Sequence, residues 1–387
     1  MMFNIQILLQ MTIKHQIKGK LQVQKVTDNT LNNSHIWLSK TRDYSERTQM
    51  EVLFKTAIDK SSLESTVNKL QIKAEGYGSI PSADTILKAI NREYQDLSID
   101  EIESKFSNNL QSLSKIMLKS KSKVDIAIDI HNEEFYGVSM RNHKDLNNEF
   151  IMYNETGIRK VFKYATLTVV SYGNNHTKPI TIGFVLVWKG MKRVDIVKRL
   201  LQQIKPLNLK IDFLLMDGGF SGVDCIKYLK ENNINFITRG KFSKKKGYLD
   251  SVGLSFDYEL KNGKSSVQVE GLLLREKTKK GKRKFIFFLC SKIITGAKLK
   301  QLYRQRFRIE NTYRHQRVVK IRTCSRKLHV RWFLWIISVL IELIWEISAH
   351  IYDIMDLDRY SSRQELVNSH IVDYIHDNLD PAKYRIY

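Results

Sequence analysis

Proline and cysteine are both scarce in this chain, and their scarcity excludes several classes of protein. Only 4 of 387 residues are proline, which argues against proline-rich linkers and collagen-like segments. The 3 cysteines are Cys225, Cys290 and Cys324, an odd number with wide spacing. This pattern provides neither a disulfide framework nor the paired cysteines of a zinc finger. The N-terminus also lacks the basic region and cleavage site of a signal peptide, so we expect a reducing, cytoplasmic environment.

Acidic residues are few relative to basic ones. The chain has 64 Lys and Arg residues against 40 Asp and Glu residues, which gives a formal net charge of +24. A positive surplus spread over the whole length attracts polyanions, so nucleic acid is the leading partner. A generally lysine-rich composition without a nucleic-acid partner is the alternative that charge alone leaves open.

The chain also lacks an uncharged hydrophobic run of membrane-spanning length. The most apolar segment, Trp332–Ile347, contains Glu342 and Glu346, which are costly at the centre of a bilayer. We therefore predict a buried amphipathic helix that packs against the main sheet, with the two glutamates projecting away from its apolar face. A membrane-anchored protein remains the alternative for this segment.

The first third of the sequence is predicted to be helical after a weakly patterned start. Residues 1–42 form a weakly ordered leader in this interpretation, and residues 43–120 form a helical region. Within it, Gly76, Gly78 and Pro81 predict a turn, and Ser82 predicts the N-cap of the next helix. A helix, a glycine-containing turn and a second helix resemble a helix-turn-helix that reads DNA, although ordinary helical bundles contain the same hairpin.

The pattern changes at residue 121 to that of an α/β domain. Apolar strands come first, and strands alternating with helices follow, which predicts a mixed sheet over residues 121–350. Residues 240–292 are rich in β-patterned segments and are predicted to be an insertion. Helices are predicted from residue 297 to about 322 and from 330 to about 355, and residues 351–387 form a C-terminal helical tail.

Two aspartates follow the buried strands of this domain. Asp129 ends the segment VDIAID, and Asp217 follows IDFLLM. The carboxyl end of a strand is where α/β sheets place ligands and catalytic groups. Either residue alone is weak evidence, because aspartate also commonly caps a turn or helix after a strand.

A third element combines one acid with basic and aromatic residues at helical spacing. In LKQLYRQRFRIENTYRHQR, Tyr303, Arg306, Glu310 and Arg317 are 3, 4 and 7 positions apart. In one continuous helix these four side chains would share a face. A glutamate framed by arginines suits a metal ligand beside a phosphate, whereas a solvated polar stripe is the simpler alternative.

Together these motifs resemble the DDE and YREK signatures of insertion-sequence transposases with a ribonuclease H-like catalytic domain. This family includes the transposon five and transposon ten transposases. The resemblance lies in Asp129, in Asp217 within LLMDGGF, and in the Tyr303-Arg306-Glu310-Arg317 spacing. Two positions depart from the pattern, since Arg317 replaces the signature lysine and Gly218 replaces a common arginine.

The resemblance implies a DNA transposase that cuts transposon ends and joins them to target DNA. Asp129, Asp217 and Glu310 would hold two Mg²⁺ ions, for which Mn²⁺ could substitute, and Tyr303, Arg306 and Arg317 would bind phosphate. The expected partners are terminal inverted repeats, target DNA and a second copy of the chain, in the nucleoid and without a membrane. A ribonuclease H-like nuclease without strand transfer and an inactive, transposon-derived DNA-binding protein remain alternatives.

Overall fold

The computed structural model divides the chain into two compact units. Residues 1–117 and 314–387 belong to a helical unit, and residues 118–313 belong to a sheet unit. The structure describes residues 20–32 without 22, 38, 44–73, 80–118, 123–135, 147–172 without 155, 179–241, 252–277, 283–353 and 370–375. The boundary expected at residue 350 does not coincide with the boundary between the units, which lies inside a helix at residues 313 and 314.

The N-terminal helices of the helical unit agree well with the predicted apolar spacing. They are α1 (residues 23–32), α2 (Glu46–Ile58), α3 (Leu63–Lys73), α4 (Ala83–Tyr94) and α5 (Ile99–Ser114). Val52, Leu53 and Val67 are buried, as their positions predicted. The Ser82 hydroxyl accepts the Thr85 backbone N–H, so the predicted N-cap of α4 is confirmed. The predicted turn residues Gly76 and Gly78 lie outside the described residues.

The weakly ordered leader expected over residues 1–42 is wrong for residues 23–32, which form α1. Val23 and Leu31 of this helix are fully buried. Arg47 on α2 forms an ion pair with Asp28 on α1 at 2.9 Å. Burial and an ion pair to the next helix hold this segment in place despite its weak hydrophobic pattern.

Helix α11 (Leu328–Asp353) contains the long apolar segment and is followed by α12 (residues 370–375). The helix itself was predicted correctly. It belongs to the helical unit, where it packs against α2, α4 and α5, and its predicted packing against the sheet stays a prediction. The Phe333 ring lies 5.1 Å from the Tyr94 ring of α4.

Glu342 and Glu346 lie together, as their spacing predicted, and both are buried. Glu342 is 0% exposed and Glu346 is 8% exposed. Helices pack on several sides of α11, so its polar positions are enclosed together with its apolar ones. Among the described residues, no helix has the length and hydropathy needed to cross a membrane.

The sheet unit is built on one nine-stranded mixed sheet. The strands are β1 (Lys123–Glu134), β2 (Met152–Tyr153), β3 (Lys160–Tyr172), β4 (Ile180–Val187), β5 (Lys210–Met216), β6 (Phe236–Arg239), β7 (Ser255–Asn262), β8 (Ser265–Lys277) and β9 (Arg283–Cys290). Its helices are α6 (Asn147–Phe150), α7 (Arg193–Gln203), α8 (Val223–Glu231), α9 (Gly296–Gln305) and the first part of α10 (Arg308–Val318).

The strand order follows the predicted change from a meander to strand-helix alternation. It runs β2-β3-β1-β5-β6-β9-β8-β7, and β4 pairs with β3. Strand β3 pairs antiparallel with β1 and β4, whereas β5 pairs parallel with β1 and β6. All eight residues of β4 are buried, as expected for a strand written as a continuous apolar run.

The β-rich stretch predicted at residues 240–292 continues the main sheet. Strands β7, β8 and β9 pair in antiparallel order, and β9 pairs with β6 through Ile237 and Cys290. These strands therefore extend the sheet on the side of β6, away from β1.

Asp125 on β1 is a buried acid, and its environment predicts how stability depends on pH. Burial and the nearby Asp212 raise its pKa from 3.8 to about 6. Because the folded protein holds this proton more tightly than the unfolded chain, the stabilisation is present below about pH 4 and lost as the pH rises through 6. Asp125→Asn should therefore raise the unfolding free energy by about 1–2 kcal/mol at pH 7.5.

Thermal unfolding of Asp125→Asn and of the unmodified chain at pH 4 and pH 7.5 provides the measurement. Asp257→Asn on β7 is a matched control at an exposed position. An equal gain in stability at both pH values would show that the charge of Asp125 does not destabilise the folded protein.

Candidate active site

The pairing of two parallel strands places the two predicted aspartates side by side. Strand β1 pairs with β5 in a register that sets Ile128 opposite Met216. The next residue on each strand is Asp129 or Asp217, and neighbouring strands lie about 4.8 Å apart. The prediction that Asp129 ends its strand is wrong, because β1 continues to Glu134, whereas Asp217 does follow the last residue of β5.

Local hydrogen bonds fix the turn that carries Asp217. The Asp217 carboxylate accepts the Gly219 backbone N–H at 2.9 Å, and the Thr238 hydroxyl donates to the Asp217 carbonyl at 2.7 Å. A Cβ atom at Gly219 would lie 3.1 Å from the Asp217 Oδ1 atom. Glycine at position 219 therefore leaves one side of the carboxylate open.

The third acid lies on a helix that differs from the prediction. A single helix was expected from residue 297 to about 322, but α9 ends at Gln305 and α10 begins at Arg308. The chain passes between them through tighter turns, in which the Arg306 N–H bonds to the Tyr303 carbonyl and the Glu310 N–H bonds to the Phe307 carbonyl. Tyr303 and Glu310 therefore lie on different helices, and the proposed single stripe does not exist.

Arg306 lies in this junction and links two of the acids. Its Nη2 donates to Glu310 Oε1 at 3.1 Å, and its Nη1 is 3.8 Å from Asp129 Oδ2. The residue is only 8% exposed. A buried guanidinium between two carboxylates offsets their mutual repulsion.

The electrostatics of Asp129 show that the three acids influence one another. Burial raises the pKa of Asp129 to about 6, Arg306 lowers it, and Asp217 and Glu310 raise it further. Such opposing influences arise where acids converge, and a strongly shifted pKa beside other charged groups marks a candidate functional site.

Tyr313 anchors the Glu310 helix to the Asp129 strand, and sequence reasoning missed it. Its hydroxyl lies 2.7 Å from the Thr166 hydroxyl and donates to the Asp129 carbonyl at 3.2 Å. Its ring stacks on His131 with centroids 4.5 Å apart. Tyr313 follows Glu310 by three positions, so it shares a helix face with this acid, and that spacing was the available signal.

The remaining predicted site residues occupy two different surroundings. The Tyr303 ring is buried, packs edge-on against Phe288 at 4.9 Å, and has the Arg239 guanidinium 5.5 Å from its centroid. Arg239 is the last residue of β6 and was not predicted. Arg317 lies near the end of α10, in the part of that helix that belongs to the helical unit, and is exposed.

The donor set fits divalent cations. Three carboxylates supply hard oxygen ligands of the kind that Mg²⁺ prefers. The Glu310 side chain is 40% exposed, whereas the Asp129 side chain is 18% exposed. A metal ion or a phosphate can therefore reach Glu310 more easily than Asp129. Arg306 provides positive charge at the place where these acids meet.

Residues 175–342 match the family model described as a transposase DDE domain. Residues 175–342 thus resemble a transposase DDE domain over less than half of the chain. The matched segment includes Asp217 and Glu310 and begins after Asp129. No curated protein sequence matches the chain significantly.

Solved structures give a second, independent comparison. The piggyBac transposase synaptic complex with hairpin DNA, solved by cryo-electron microscopy, is similar with a TM-score of 0.60 and 14% sequence identity. The similarity covers 95% of this chain and 82% of that one. At this identity the likeness concerns the fold. Together, the structural similarity and the match to the DDE family model support the function of a DNA transposase, an enzyme that cleaves DNA and transfers strands.

Tyr313→Phe tests the anchor between α10 and β1. Loss of the hydroxyl removes its bonds to Thr166 and the Asp129 carbonyl, and each buried hydrogen bond contributes about 1 kcal/mol. We expect the rate of metal-dependent DNA cleavage to fall about tenfold or more, because a small displacement of catalytic groups is costly, while DNA affinity changes little.

Single-turnover cleavage and equilibrium DNA binding measure these two quantities separately. Tyr153→Phe is the matched control, since Tyr153 is 58% exposed on β2. Equal cleavage rates for Tyr313→Phe and the control would remove the anchoring role.

Proposed function

We propose that the chain is a DNA transposase in which Asp129, Asp217 and Glu310 form the catalytic acid triad. The observation that carries the proposal is the parallel register of β1 and β5, which sets Asp129 beside Asp217 within reach of the charge of Glu310. The match to a transposase DDE domain supports two of these residues, since it spans Asp217 and Glu310 but not Asp129.

Two Mg²⁺ ions bound by these carboxylates, or Mn²⁺ ions in their place, would activate the attacking water or 3′-hydroxyl and stabilise the leaving oxygen. The chain itself supplies the geometry for this chemistry. Asp217 is held by its turn, Asp129 by the sheet, and Glu310 by the α9–α10 junction. Fixed acids reduce the reorganisation that would otherwise be needed when DNA binds.

Arg306 and Arg317 are proposed to contact DNA phosphates near the scissile bond, whereas Tyr303, which was expected to bind phosphate too, is buried and is proposed to support Arg306. Arg306 already lies beside Asp129 and Glu310, so a phosphate at the site would meet its guanidinium. Arg317 is exposed, so its guanidinium is accessible to DNA. The guanidinium carbon of Arg306 lies 5.6 Å from the centroid of the buried Tyr303 ring, so this ring packs against Arg306.

The finer classification is also a proposal. A meander of β4, β3 and β1 followed by parallel β5 and β6 supports a ribonuclease H-like core, and the motif spacing supports the YREK group of insertion-sequence transposases. Residues 43–120 are proposed to recognise the terminal inverted repeats. We further propose a homodimer on paired ends in the nucleoid of the cytoplasm and a hairpin intermediate at each end, consistent with the DNA in the similar piggyBac complex.

Conservative replacement of each acid tests the catalytic triad. Asp129→Asn, Asp217→Asn and Glu310→Gln should each lower Mg²⁺-dependent cleavage of a transposon-end duplex by about 100-fold or more, because each removes a charged ligand without changing its size. DNA binding without metal should be retained. Product formation is followed on denaturing gels.

Asp224→Asn and Glu231→Gln are the matched controls, because both acids are exposed on α8 and outside the site. If one of the three site variants cleaves as well as these controls, that acid does not belong to the triad.

Strand transfer separates a transposase from a nuclease of the same fold. A pre-cleaved end with a free 3′-hydroxyl should become joined to a target plasmid in the presence of Mg²⁺. End binding should also weaken steeply between about 50 and 200 mM salt, as counterions are released from the phosphates. Cleavage that occurs without any joined product would favour the nuclease alternative.

A further inference from the structure

A second cluster of metal-ligating side chains lies in the helical unit, apart from the three DDE acids. It consists of His315 on α10 and of Glu342 and Glu346 on α11. One ligand atom from each of the three residues lies within 4.8 Å of the other two. His315 Nδ1 is 3.6 Å from Glu346 Oε1. Glu342 and Glu346 are four positions apart, so they project from the same face of α11.

Polar atoms of two residues in this cluster, Glu342 and His315, are buried without hydrogen bonds. Glu342 is 0% exposed, and neither of its carboxylate oxygens has a hydrogen-bond partner. His315 Nδ1 is likewise unbonded. Burying a carboxylate without compensation is costly, and in the described part of the chain no lysine or arginine forms an ion pair with Glu342.

Gln316 is an independent sign of a missing partner. It is 3% exposed, and neither its amide oxygen nor its amide nitrogen makes a hydrogen bond. Its amide lies close enough to Glu342 to lower the pKa of that carboxyl, although the contact falls short of hydrogen-bond geometry. A buried amide directed at an uncompensated carboxylate is the arrangement that orients a metal ligand from outside the coordination sphere.

We propose that His315, Glu342 and Glu346 bind a structural Zn²⁺ ion that ties the C-terminal half of α10 to α11. One imidazole nitrogen and two carboxylates suit zinc, whose structural and catalytic sites mix these ligands in four-coordinate geometry. Mg²⁺ is a poor fit, since it prefers oxygen ligands and retains several waters. Water or the Gln316 amide oxygen is available as the fourth ligand.

The proposed site lies partly on α10, the helix that also carries Glu310. His315 follows Glu310 by five residues on the same helix, so an ion that fixes His315 also limits the motion of α10. The ligands are separated by 27 positions along the chain between His315 and Glu342, and closing such a loop removes conformational freedom from the unfolded chain.

A shared proton is the competing explanation for the two buried glutamates. Burial and the neighbouring Glu346 raise the pKa of Glu342 well above its usual range, so without a cation the carboxyl holds a proton. The two explanations differ for Glu342→Gln. Glutamine imitates a protonated carboxyl and would preserve a proton-sharing pair, but it cannot replace an anionic zinc ligand.

The test uses the full chain carrying Asp129→Asn and Glu310→Gln, so that zinc at the DDE acids does not contribute. After removal of metals with a chelator, Zn²⁺ should bind with a stoichiometry of one and raise the melting temperature by several degrees, whereas equimolar Mg²⁺ should not. Adding Glu342→Gln or His315→Gln should abolish both effects. His329→Gln is the matched control, because this half-buried histidine on α11 lies outside the cluster.

Zn²⁺ X-ray absorption of the parent protein provides a readout that does not depend on the folding of any further variant. Nitrogen and oxygen ligands at about 2.0–2.2 Å, without sulfur, are expected. The proposal is overturned if zinc does not bind to the parent, or if Glu342→Gln retains the full zinc-induced rise in melting temperature. Because none of these measurements uses DNA cleavage, the result is independent of the proposed transposase activity.

Discussion

The parallel pairing of β1 with β5 is the constraint on which the candidate active site depends. Asp129 and Asp217 are 88 positions apart in sequence. The pairing places them directly after two residues that lie opposite each other on neighbouring strands, Ile128 and Met216. A slip of one residue would turn one of the two side chains to the opposite face of the sheet. The buried apolar residues on both faces of these strands oppose such a slip, so core packing and catalytic geometry are fixed by one set of interactions.

The third acid is positioned by a different device. Glu310 reaches the strand acids because α10 starts anew after the tight turns at Arg306 and Phe307, and because Tyr313 bonds to the backbone of Asp129 itself. Arg306 then lies between Asp129 and Glu310 as a counter-charge. The same arginine thus offsets the repulsion between these two acids and is the residue that we propose to meet a DNA phosphate.

In the helical unit, the burial of polar residues differs from what the hydrophobic pattern of the sequence predicts. Helix α11 was expected to be amphipathic with two glutamates off its apolar face, yet it is enclosed on several sides and buries both of them. Helices that are apolar on nearly every face are typical of the centre of a protein. The acids inside such a helix require a partner, and the nearby His315 and Gln316 indicate that a cation is that partner.

The amino-acid sequence by itself determined the strands β1, β3, β4, β5 and β6, most helices, and the candidate acids, because apolar periodicity records which local conformation buries a segment. The tertiary structure alone decided what those residues face. The break between α9 and α10, the anchoring bond of Tyr313, the pairing of Arg306 with two acids, and the placement of α11 among α2, α4 and α5 all depend on contacts between distant segments. A hydrophobic pattern shows that a residue is buried but carries no information about which neighbour encloses it, and that neighbour sets the charge and the hydrogen bonds of the site.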